Sequence, residues 1–140
     1  MNKLVALLFV LLLPLAGFAQ DEETVNLDSY IWQLSAQCPC DVGDGWIITS
    51  VLSIGDTVTV EIEVQEMLGG FIGMLTANNK KTKRLWIDQV LQFGEPWKKL
   101  VNLLAKEGRC LSLVLGTQSD HKMAQLLITP DEIGTILANH

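Results

Sequence analysis

The chain has 140 residues, 49% of them hydrophobic, and its 16 acidic residues outnumber the 10 basic ones to leave a formal charge of −6. That length suits one small domain with its own core. The acidic balance argues against nucleic-acid binding, because phosphate contacts need Lys and Arg.

The first residues read as an address rather than a fold. Lys3 precedes an apolar run from Leu4 to Leu15 broken only by Pro14, and Gly17 and Ala19 then place small residues before Gln20. This is the three-part layout of a secretory signal cut after Ala19. The run is too short to span a bilayer, which takes about 20 apolar residues, and no cysteine follows it to carry a lipid. The expectation is a signal peptide over 1–19, a flexible acidic N-terminus over 20–26 and a single α+β domain over 27–140. The mature chain is then periplasmic or at the cell surface, with no membrane span after cleavage.

Leu27, Tyr30, Ile31 and Leu34 recur at helical spacing, and Pro39 disfavours helix at Cys38, so a first helix ends near Gln37. Asp41 to Gly45 reads as a turn. Strands follow at Trp46–Ser53 and Thr57–Gln65, joined at Gly55-Asp56. In the second, Val58, Val60, Ile62 and Val64 alternate with Thr57, Thr59, Glu61 and Glu63, which predicts one buried and one wet face. The stretch from Met67 to Leu75 is apolar but glycine-rich; strand extension, buried loop and exposed patch are its three readings, with burial favoured. Helices are predicted from Lys81 to Phe93 and from Pro96 to a stop at Gly108. Strands Cys110–Leu115 and Lys122–Thr129 then lead into a capping box, Thr129-Pro130-Asp131-Glu132, and a last helix. The predicted order is α-ββ-αα-ββ-α: a four-stranded antiparallel sheet of two hairpins with helices packed on one face.

The Gly17-Phe18-Ala19-Gln20 cleavage region, Cys38-Pro39, Gly43-Asp44-Gly45 before Thr49-Ser50-Val51, and the closing Leu127–Ile133 segment resemble small exported proteins of Bacteroides-like bacteria. The resemblance implies a periplasmic or outer-surface location. It carries no catalytic residues, because that group has no defined activity.

Three cysteines, Cys38, Cys40 and Cys110, enter a compartment that permits disulfides. An odd number leaves one sulfur over. Cys110 bridged to Cys38 or Cys40 makes them structural. A Cys38–Cys40 bond makes a strained, exchangeable redox pair, and free or intermolecular thiols are the third option. A zinc site from the cysteines with His121 or His140 matches no standard spacing, and a Cys–His hydrolase lacks an orienting group. Glu61 and Glu63 share one strand face, a spacing that serves glycosidases but serves solubility as readily. Lys80, Lys81, Lys83 and Arg84 read as a solvated helix start.

Surplus apolar side chains mark a candidate partner surface: Trp32, off the first helix's stripe, with Trp46, Phe71 and Ile72. The open face of the sheet is a second candidate, for a peptide, a glycan or another subunit. These features describe a non-enzymatic exported domain that binds a protein or envelope component, with self-association as an option. No cofactor or metal is expected. The alternative is a thiol-redox protein using Cys38-Pro39-Cys40.

Overall fold

The computed structural model describes residues 26–43, 45–65, 72–117 and 123–139. The expected signal peptide, the acidic stretch up to residue 25, Phe71, His121 and His140 lie outside the described residues. The elements are α1 (Leu27–Ala36), β1 (Cys40–Gly43), β2 (Trp46–Ile54), β3 (Thr57–Glu63), α2 (Ile72–Leu75), α3 (Lys80–Gln92), α4 (Glu95–Glu107), β4 (Cys110–Gly116), β5 (Met123–Ile128) and α5 (Pro130–Ala138).

The strands form one sheet in the order β1-β2-β3-β4-β5. Both expected hairpins are present, β2 with β3 and β4 with β5. Two features of the expected sheet are corrected. First, a fifth strand lies where a turn was predicted: β1 pairs with β2 through Cys40 opposite Ile48. Positive φ angles at Gly43 (98°) and Gly45 (81°) make the reversal so tight that Asp41 and Val42 become strand rather than turn. Second, the sheet is mixed, because β3 and β4 run parallel from Thr57 opposite Cys110 to Glu63 opposite Gly116. A parallel pair needs a long crossover, and the segment carrying α2, α3 and α4 returns the chain to the end where β3 began.

The core lies between the sheet and the helices. Val58, Val60 and Ile62 of β3 line up with Leu111, Leu113 and Leu115 of β4, all buried, and Leu126 and Ile128 of β5 continue the rows. Against them pack Leu27, Ile31 and Leu34 of α1 and Trp97, Leu100, Val101 and Leu104 of α4. In β2 a register irregularity between Ile48 and Ser50 resets the alternation. Ile48 and Val51 therefore both point into the core, and Leu52 and Ile54 are turned outward.

Local signals hold the ends of the helices. The Asn26 side chain accepts hydrogen bonds from the Asp28 and Ser29 N–H groups at the start of α1. Gly108 closes α4 in the left-handed conformation (φ 70°, ψ 39°). The expected capping box forms at α5: the Glu132 N–H donates to Thr129 Oγ1 and the Thr129 N–H donates to Glu132 Oε1. Lys83 of α3 reaches the same carboxylate at 2.7 Å. That bond, with the Thr129 N–H, holds the Glu132 carboxyl below its ordinary range. At this same end of the sheet, where β4 begins, Arg109 donates to Ser53 Oγ at 2.6 Å and to the Gly55 carbonyl at 3.0 Å, and approaches Asp28 at 3.5 Å. It thus ties the start of β4 to the β2–β3 turn and to α1.

Candidate binding face of the sheet

The described helices cover only one side of the sheet. On the other, the register aligns side chains in rows across the strands. One row is Leu52, Thr59, Ser112 and Leu127; the next is Ser50, Glu61, Val114 and Gln125. Ile54 is 68% exposed, Met123 65%, Leu127 46% and Leu52 45%. These apolar walls stand on β2 and β5. Between them the floor on β3 and β4 is made of small hydroxyl residues, Thr57, Thr59 and Ser112. Three strand spacings put the walls roughly 14 Å apart, wide enough for an extended or helical segment.

The floor is tightly closed. Ser112 is fully buried although it faces outward, because Gln125 folds over it and donates from Nε2 to Ser112 Oγ at 2.6 Å. Toward the Trp46 end of the sheet the face becomes acidic. Ser50 Oγ donates to Glu61 Oε1 at 2.6 Å, and Thr49 Oγ1 donates to the Glu61 carbonyl at 3.2 Å. Glu63 is two residues on, along the same face. A cavity of about 170 Å³ lies among Glu61, Glu63, Val114, Gly116 and Met123. Thr117, also at its edge, is 5% exposed, and its hydroxyl has no partner among the described residues. The described basic residues sit on α3, on α4 and at Arg109, away from this face. The face therefore combines apolar walls, a neutral floor and an acidic end that no described basic residue compensates.

The other candidate residues are scattered. Trp32 stands alone on the outer side of α1, 75% exposed. Trp46 is half-buried, its ring edge-on to Trp86 at 5.5 Å and 86°, and Ile72 is buried in the core. The three do not share a surface. Nor does the fold supply the expected Cys110 bridge. All three thiols are free. Cys40 pairs with Ile48, which leads through Ile62 to Leu115 of β4, and Cys110 lies five residues farther down that strand. By strand rise and spacing the two are roughly 20 Å apart, whereas a disulfide needs Cα atoms within about 7 Å.

Cys38 and Cys40 are neighbours at the end of α1. The Cys38 thiol donates to the Leu34 carbonyl at 3.4 Å. Burial pushes its pKa up, and a thiolate at Cys40 would push it further. An exchange-active thiol draws on the opposite shift, toward thiolate.

Sequence reasoning singled out none of the wall residues. A signal was present in β5, where Met123, Ala124, Leu126, Leu127 and Ile128 are apolar on both faces of the strand. In β2 no such signal exists, because a single-residue register shift decides that Leu52 and Ile54 face out.

No described helix is long and apolar enough to cross a membrane. No protein-family model matches the chain, and no curated protein matches it; the expected likeness to Bacteroides-like proteins has no counterpart in these comparisons. Among solved structures the chain is similar to a "putative secreted protein" from Pseudomonas aeruginosa, with a TM-score of 0.54 and 11% identity over 76% of this chain and 88% of that one. At such low identity the likeness is one of fold.

Proposed function

We propose that this chain is an exported, non-catalytic binding domain, and that its uncovered sheet face holds an apolar segment of an envelope protein that carries a basic residue. The observation that carries the reading is the trough between Leu52 and Leu127. Its apolar walls are half exposed, its floor is flat, and one end is acidic with no basic side chain nearby among the described residues. Exposed apolar area of this kind is unfavourable in water unless a partner covers it. Glu61 and Glu63 then supply charge selection, favouring a Lys or Arg at one end of the segment. Export is supported by the signal-like layout of residues 1–19 and agrees with the fold shared with a protein described as secreted.

The test uses the double variant Leu52→Lys/Ile54→Lys in full-length protein exported by its own cells. Both side chains are exposed, so the variant keeps the wild-type circular dichroism and melting temperature. It is expected to lose the envelope protein that co-purifies with wild type after mild cross-linking. Equal recovery of that protein by wild type and variant would rule out this face as the contact.

A further inference from the structure

We infer that β5 is a self-association edge: two copies of this chain pair their β5 strands antiparallel across a two-fold axis, joining the two five-stranded sheets into one. The inference does not rest on the function proposed above.

The two edges of the sheet differ in kind. β1 is four residues long, carries Asp41 and has a register shift between Asp41 and Gly43. Short length, charge and irregularity are the usual ways in which an edge is kept from pairing. β5 has none of these. It is six residues, Met123 to Ile128, with no charge and no proline, and its pairing with β4 is regular throughout. Among the described residues no strand pairs with its outer side, and the four-residue helix α2 touches the strand; a sixth strand would take up its outward N–H and C=O groups.

Charge favours a second copy as that strand. The chain is strongly acidic, so most surfaces of two copies repel each other. Two copies stacked face to face would bring Glu61 and Glu63 against their counterparts. Antiparallel β5–β5 pairing instead sets neutral strand against neutral strand. Strands related by a two-fold axis normal to the sheet keep the same side chains on the same face. With the axis at Gln125, exposed Met123 of each copy therefore meets Leu127 of the other beside the seam, and both helix layers stay on the opposite face.

Sedimentation velocity over a concentration series tests this with three proteins. Wild type is expected to shift from monomer to dimer as concentration rises, with amide exchange at 124–128 slowing in step. Met123→Lys/Leu127→Lys, which places like charges on both sides of the seam, is expected to remain monomeric with an unchanged circular dichroism spectrum. Leu52→Lys/Ile54→Lys, on the same face but three strands from the seam, is expected to dimerise like wild type. A wild type that stays monomeric throughout overturns the inference. So does a dimer that survives the β5 substitutions, or one abolished by those in β2, which would mean face-to-face stacking.

Discussion

Leu113→Ala is expected to lower the free energy of unfolding by about 3–4 kcal/mol, toward the upper part of the range for a leucine truncated in a packed core. Leu113 is fully buried at the middle of β4, in register with Val60 on one side and Leu126 on the other. A central parallel–antiparallel junction under the helix layer has little freedom to collapse into the space left by three carbons. The matched control is Leu127→Ala on the adjacent strand. Leu127 is 46% exposed on the opposite face, so its truncation should cost about 1 kcal/mol or less by the area it buries. Urea unfolding of both variants checks the pair. Similar losses from the two would contradict the one-sided core, and with it the existence of a bare face.

The second large effect is expected at Trp86. This side chain of α3 is 6% exposed, stacks edge-on against Trp46 of β2 and donates from Nε1 to the Leu75 carbonyl at 2.6 Å. It therefore fastens three elements: the start of β2, the short helix α2 and α3. Truncation to alanine is expected to cost about 3–5 kcal/mol, the usual range for a large aromatic in a core. Trp86→Phe keeps much of the apolar contact but leaves the Leu75 carbonyl without its donor, a loss of about 1–3 kcal/mol. Proteolysis should then cut first near α2 in the phenylalanine variant, with the rest of the domain intact. An alanine variant as stable as wild type would mean that the Trp46–Trp86 contact and the Leu75 bond contribute nothing.

The parts of the fold that were legible in the sequence are those set by local chemistry. The Thr129–Glu132 capping box, the glycine stop at Gly108, the Gly55-Asp56 turn and the alternation through Val58, Val60 and Ile62 each depend on residues a few positions apart, and each is present in the structure. What could not be read is set by pairing between distant segments. The β1 strand is made of turn-forming residues and exists because Ile47 and Ile48 are there to pair with. The parallel contact of β3 with β4 depends on where a crossover of more than forty residues returns the chain. The open sheet face and its glutamates were foreseen, but the apolar walls of the candidate site were hidden for the same reason. Period-two reading puts Ile48, Leu52 and Ile54 on one face, and only the irregularity before Ser50 separates Ile48 from the other two. Tryptophans stood out in the sequence because they are large, yet Trp46 belongs to the packing around Trp86, and only Trp32 is left in solvent.

The sheet face and the exposed Trp32 are two rival contact surfaces. They lie on different layers, which makes them separable by one measurement: a photo-cross-linking amino acid placed at Ile54 or at Trp32 of the exported chain, irradiated in living cells. A discrete adduct with another envelope protein from position 54, absent from position 32, is the predicted result. An adduct from position 32 with none from position 54 would contradict the account and move the binding surface to α1.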